Sequence, residues 1–232
     1  MSNLNGTTTS EAVLSAFALD VLNGLQSEPK SLPSKYFYDE KGDKIFQEIM
    51  EMDEYYLTRA EHSIFKEQKE EIFEALDING KAFRLLELGA GDGLKTRVLL
   101  EYFASTGVPF DYSPVDISPH VLEICEQKVR KEIPGLSITP LAGDYFDVLS
   151  SINYDTSKRN VVLFLGSTIG NFTNAQAIEF LRRLRGHLHG DDYLLVGFDL
   201  RKDPDMILSA YHDKAGVTKR FNLNLLERIN RE

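Results

Sequence analysis

Three features of the sequence predict an α/β fold with a mostly parallel sheet covered on both faces. The apolar run at residues 83–88 breaks into glycines at alternate positions, Gly89, Gly91 and Gly93, and then enters a helical pattern with Val98, Leu99, Leu100 and Phe103 apolar. Strand-like and helix-like segments alternate from there to residue 200. Helical connections between successive strands require crossovers, and crossovers give parallel neighbours. Finally, the segments at 83–88 and 160–165 read as buried apolar strands, as expected of strands covered on both faces.

Before that alternation the chain reads as helical. Residues 10–26 are amphipathic, with Ser10 as the expected cap and Val13, Leu14, Phe17, Leu19, Val21 and Leu22 near helical spacing. Pro29 and Pro33 end that segment. An aromatic loop at residues 35–42 is followed by a short helix carrying Ile45, Phe46, Ile49 and Met50, and a second aromatic turn covers 53–57. Thr58-Arg59-Ala60-Glu61 has capping-box spacing. The next helix is therefore expected to start at Thr58 and to turn Ile64, Phe65, Ile72, Phe73 and Leu76 inward.

The second strand is expected at 111–116, and Ser118-Pro119 supplies a cap and first position for a helix with the stripe Val121, Leu122, Cys125 and Val129. A third strand at 136–141 contains Pro140, which places it near an edge or near its own end. The fourth, 160–165, is the clearest buried strand, a helix spans about 173–188, and the fifth strand covers 193–200. Asp203-Pro204 opens a helix, and a last helical pattern with Val217, Phe221, Leu225, Leu226 and Ile229 runs to Glu232 with no stop signal, which reads as a cut in a longer chain. The expected division is an N-terminal helical segment (1–80), an α/β ligand-binding domain (81–200) and a further helical segment (201–232).

The composition is 42% hydrophobic and 27% charged, ordinary for a globular protein. The net charge of −10 offers no basic field for nucleic acid or an anionic membrane, and Arg182, Arg183 and Arg185 read as one solvated helix face. The single cysteine, Cys125, fits a reducing, cytoplasmic setting and reads as packing filler. The five histidines are scattered and suggest no metal site.

Four positions fall at the C-terminal ends of successive strands, where open α/β sheets bind ligands. The first is the GxGxG loop. A dinucleotide fingerprint needs its third glycine at position 94, where this chain has Leu94. The spacing favours S-adenosylmethionine, which has no pyrophosphate, over NAD and thus over an oxidoreductase. The second is Asp116, placed to accept from ribose hydroxyls. The third, Asp144, either accepts from an adenine amino group or makes a turn with Gly143. The fourth is the loop 166–171, where Asn171 can orient a substrate through its amide. Tyrosines at 36–38 and 55–56 lie in loops, where side chains are freer to carry function.

Further motifs carry a resemblance: Leu32-Pro33 with residues 35–39, Glu54-Tyr55-Tyr56 with Thr58-Arg59-Ala60-Glu61, the Gly89 loop, Gly143-Asp144, Phe164-Leu165-Gly166-Ser167-Thr168-Ile169-Gly170-Asn171, and Ala215-Gly216-Val217-Thr218 with Phe221-Asn222. From about residue 28 onward the chain resembles the histidine-specific Nα-methyltransferases of ergothioneine biosynthesis. The resemblance implies a Rossmann-like class I methyltransferase using S-adenosylmethionine, in which 1–80 lie over the active site, 81–200 bind the cofactor, and 201–232 start a truncated substrate-binding domain inserted after the fifth strand. That truncation is expected to leave the fifth strand with an open edge and the fragment marginally stable. It implies cofactor contacts from Gly89, Gly91, Lys95, Asp116, Asp144 and Tyr145. It implies that Tyr38, Tyr55, Asn171 and Tyr211 hold an amino-acid substrate, with Tyr38 and Asn171 orienting its reacting amine. Arg59 is expected near the site. Leu57 stands where many relatives have proline. Two alternatives remain beside α-amino methylation of L-histidine: an N-methyltransferase for another amino acid or an indole amine, and a noncatalytic S-adenosylmethionine-binding module.

Overall fold

The structure, a computed structural model, describes residues 15–152 and 158–232. The expected cap Ser10 and the helix positions Val13 and Leu14 lie outside the described residues. Helix α1 (Ala16–Gln26) is capped by Ser15, whose hydroxyl accepts from the Ala18 amide at 3.2 Å. The first aromatic loop contains a 3-10 turn, Ser34–Phe37, and leads into α2 (Glu40–Glu51). The Asp39 carboxylate caps α2 by accepting from the Gly42 amide at 2.7 Å. Gly42 is required there, because a Cβ would sit 1.8 Å from the Phe37 carbonyl oxygen.

Helix α3 (Tyr56–Ala75) starts two residues before the expected Thr58, and Tyr55 precedes it without a side-chain cap. The capping-box reading fails because the Glu61 carboxylate is engaged by Gly166 and Lys95 instead. Phe65 and Leu76 are buried as expected, but Ile64 is exposed.

The sheet comprises β1 (Phe83–Leu88), β2 (Phe110–Asp116), β3 (Ser137–Ile138), β4 (Leu141–Ala142), β5 (Arg159–Phe164) and β6 (Tyr193–Val196). Every pairing is parallel, in the order β3-β2-β1-β5-β6, with β4 also on β2. The single strand expected at 136–141 is two short ones. Pro140 lacks an N–H for the ladder, while the Thr139 and Gly143 amides still donate to Tyr112 and Asp116 carbonyls at 2.9 Å. Its place at the sheet edge agrees with the proline. The last strand ends at Val196 rather than at residue 200, and Phe198 and Leu200 are exposed beyond it.

The two-residue period of the strands divides the core. Phe83, Leu85, Val161 and Leu163 point to the face covered by α3, α4 (Arg97–Ser105) and α5 (Pro119–Glu132), where Leu99, Phe103 and Cys125 are fully buried. Leu86, Leu88, Val162 and Phe164 point to the face covered by α6 (Tyr145–Ser151) and α7 (Asn174–His187), meeting Leu149, Phe180 and Leu184. Each such side chain contributes about 1.5–3 kcal/mol.

A third apolar cluster lies above the strand ends. Ile45, Ile49, Tyr55 and Leu57 from the N-terminal helices meet Ala210 of α8 (Pro204–Tyr211) and Val217 and Phe221 of α9 (Val217–Arg231). The Asp213 carboxylate caps α9, accepting from the Val217 and Thr218 amides at 2.8 Å each. Asp39 accepts from Asn224 at 2.8 Å and from Arg231 at 2.6 Å, so one carboxylate ties the start of α2 to α9. Leu226, expected on the buried stripe of α9, is exposed.

Candidate active site

A cavity of about 600 Å³ lies between the C-terminal ends of the strands and the aromatic cluster, well sized for a small-molecule site. The ten residues singled out from the sequence all line it: Tyr38, Tyr55, Gly89, Gly91, Lys95, Asp116, Asp144, Tyr145, Asn171 and Tyr211. They come from four elements (β2, α6, the 3-10 turn Thr168–Asn171 and α8) and from the loops, so only the tertiary fold assembles them.

The glycine loop forms the floor. Gly89, Gly91 and Gly93 have φ of 76°, 56° and 72°, in the left-handed region that favours glycine. A Cβ on Gly89 would sit 2.8 Å from the Tyr145 hydroxyl, and one on Gly93 would sit 2.8 Å from Cys125 Sγ. Above Gly91 nothing lies within 4 Å, which leaves open backbone for a ligand to approach. Asp116 ends β2 and braces this loop. Its Oδ2 accepts from the Gly91 amide and its Oδ1 from the Ser118 amide, each at 3.0 Å. Burial raises its pKa, and these amide bonds oppose the rise.

Asp144 caps α6, one carboxylate oxygen accepting from the Phe146 amide at 3.0 Å. The Tyr145 ring stands edge-on to Phe164 and Phe180, at 6.0 and 6.3 Å. Burial raises the pKa of its hydroxyl.

The roof is aromatic. Tyr38 packs edge-on against Phe46 and Phe221, both at 5.5 Å, and Tyr55 meets Tyr211 at 6.0 Å with the rings nearly perpendicular. Burial raises the pKa of all three tyrosines, so at neutral pH they are uncharged and able both to donate and to accept. Asn171 closes the 3-10 turn Thr168–Asn171 after β5, entered through Ser167 in the left-handed conformation at φ 55°.

Other residues at the site escaped the sequence reading. Glu61 Oε1 accepts from the Gly166 amide at 2.8 Å, while its Oε2 pairs with Lys95. Glu87, in the middle of the apolar β1 run, is 2% exposed, and its oxygens accept from Thr96 and Tyr112 hydroxyls at 2.5 and 2.6 Å. Burial pushes its carboxyl up to about 7, with the two hydroxyls opposing. Arg183 is not simply solvated, since its guanidinium lies 3.7 Å over the Phe146 ring and it lines the cavity. Arg59 is turned away, donating to the Met52 and Asp53 carbonyls at 2.8 and 2.5 Å. The signal for Glu61 lies in the Thr-Arg-Ala-Glu motif, whose spacing also fits a local helix cap. Glu87 had a weaker signal, a lone acid in an otherwise apolar strand.

A parallel sheet with a glycine loop after its first strand, an acid after the second and a cavity above both defines the class I S-adenosylmethionine-dependent methyltransferase fold. The CMeT domain of the citrinin polyketide synthase shares it, with a TM-score of 0.50 at 18% identity over 75% of this chain and 43% of that one. Residues 17–232 match the family described as histidine-specific, S-adenosylmethionine-dependent methyltransferases, and the chain belongs to that family. It is 40% identical to a histidine N-alpha-methyltransferase of Mycobacterium tuberculosis, over 94% of this chain and 66% of that protein. It is 31% identical to ergothioneine biosynthesis protein 1 of Schizosaccharomyces pombe, over 92% of this chain and 29% of that protein. The chain thus spans about two thirds of the first relative and under a third of the second.

Proposed function

We propose that this protein transfers methyl groups from S-adenosylmethionine to the α-amino group of L-histidine, within ergothioneine biosynthesis. The observation that carries the reading is that one cavity has an open glycine floor and a roof bearing three tyrosine hydroxyls and the Asn171 amide. The 40% identity to a protein named for that activity supports the choice of amine.

The residues fit the cofactor. Open backbone at Gly91, the Asp116 carboxylate and the Lys95 ammonium match a nucleoside carrying a zwitterionic amino-acid end. When bound there, S-adenosylmethionine supplies an electrophilic methyl group on sulfonium sulfur. Asp116 would accept from the ribose hydroxyls, Asp144 and Tyr145 would border the adenine, and Lys95 would meet the carboxylate. Tyr38 and Asn171 orient the substrate amine and carboxylate, while Tyr55 and Tyr211 shape the side-chain end. The attacking amine must be neutral, and loss of its proton to water suffices. Holding it in line contributes on the order of 7–11 kcal/mol.

In this reading residues 81–200 form the cofactor domain, 1–80 cover the active site and 201–232 belong to the substrate-binding part. The partner is a small amino acid, and the single, buried cysteine suits the cytoplasm. Calorimetry with S-adenosylmethionine and NAD, followed by mass-spectrometric detection of methylated product across an amino-acid panel, tests the proposal. Binding of NAD alone, or methylation of another amine in preference to histidine, would refute it.

A further inference from the structure

Glu61 does not itself line the cavity, yet it joins two separate pieces of the cavity wall. Its Oε2 pairs with Lys95, which precedes α4. Its Oε1 accepts from the amide of Gly166, the first glycine of the loop that carries Asn171. The Gly197 backbone, just past β6, makes room for it, because a Cβ there would lie 2.5 Å from Oε1. The Glu61 side chain is 13% exposed and that of Lys95 21%, so the pair is largely shielded from water. A long helical glutamate held this way gives up rotamer freedom, and no capping or surface role accounts for the arrangement.

We propose that Glu61 is a positioning residue for the amino-acid end of the cofactor. It fixes the Lys95 ammonium relative to the Gly166 loop, so that a carboxylate arriving from the glycine floor meets a cation already in place. The inference rests on the cofactor reading above and deepens it. In that reading Lys95 would touch the cofactor, and Glu61 acts through Lys95. Because the same carboxylate also holds Gly166, it keeps the loop bearing Asn171 in register with the cofactor.

The test compares two ligands on the same chain by calorimetry: S-adenosylmethionine, and 5′-deoxy-5′-methylthioadenosine, which has the nucleoside and sulfur but no amino-acid end. Glu61→Ala should weaken S-adenosylmethionine binding about tenfold, as for loss of one charge-assisted contact, and leave methylthioadenosine within about twofold. Glu61→Gln should lose less, since its amide oxygen still accepts from Gly166. Gly197→Ala, which displaces the carboxylate without removing it, should reproduce the selective loss. Parallel weakening of both ligands would mean that Glu61 merely supports the fold, and unchanged or tighter S-adenosylmethionine binding would mean that it only screens Lys95. Either result overturns the proposal. Failure of the wild-type chain to bind either ligand would remove the functional reading itself, and this inference with it.

Discussion

Asp43 of α2 accepts a 2.6 Å hydrogen bond from the Ser118 hydroxyl at the start of α5. Both residues are buried, and the bond ties the helices over the cavity to the end of β2, next to Asp116. Burial pushes the Asp43 carboxyl up to about 6, with the Ser118 hydroxyl opposing and the Asp116 charge adding to the rise. The folded state therefore takes up this proton before the unfolded state does as pH falls. Stability contributed at this site is greatest below the ordinary value of 3.8 and declines as pH rises to about 6. Asp43→Asn keeps an oxygen for Ser118 and removes the charge. It should stabilise the protein by about 1–3 kcal/mol near neutral pH, and the gain should vanish below about pH 4. Denaturant unfolding of both proteins across that range checks it, and a pH-independent difference would refute it.

Asp116→Ala should weaken S-adenosylmethionine binding by about 1.5–3 kcal/mol, the range for a hydrogen bond to a charged group. The substitution also releases the Gly91 and Ser118 amides that this carboxylate holds. A calorimetric affinity equal to wild type, in a variant with an unchanged melting temperature, would show that Asp116 does not engage the ribose.

Asn171→Ala should leave cofactor affinity within about twofold and lower histidine methylation at least tenfold, because the lost amide orients the amine rather than the donor. The 3-10 turn is held by backbone bonds, Gly170 to Ser167 at 2.8 Å and Phe172 to Ile169 at 3.2 Å, so the truncation should not unfold it. Binding titrations and product mass spectrometry separate the two quantities. Loss of both together would place Asn171 in the cofactor site.

The sheet was legible because its signals are local and strong. The apolar runs of β1 and β5 and the glycine spacing after β1 each specify one conformation. Errors arose where a side chain had a distant partner. Glu61 has the spacing of a helix cap, but Lys95 and Gly166 are 34 and 105 residues away and outcompete the cap. The residue-64 stripe failed because α3 presents a narrow face to α4, leaving Ile64 in solvent. The strand ends moved for backbone reasons, a missing N–H at Pro140 and the departure of the chain after Gly197. At the site, the positions that line the cavity were readable from motifs, but in the aromatic roof Phe221 of α9 packs against both Phe46 and Tyr38, which also touch each other, a long-range arrangement no local pattern encodes.

The bond between Asp39 and Arg231 closes a span of 192 residues. Closing so long a loop is entropically expensive and is offset only once the intervening chain is already condensed. The β1, β2 and β5 strands meet through much shorter loops. On emergence from the ribosome, the sheet and its glycine turn have all the sequence they need well before α9 exists. The cavity thus acquires its floor first and its roof last. Pulse-labelled hydrogen exchange during refolding should show early protection of β1, β2 and β5 amides and late protection in α2 and α9.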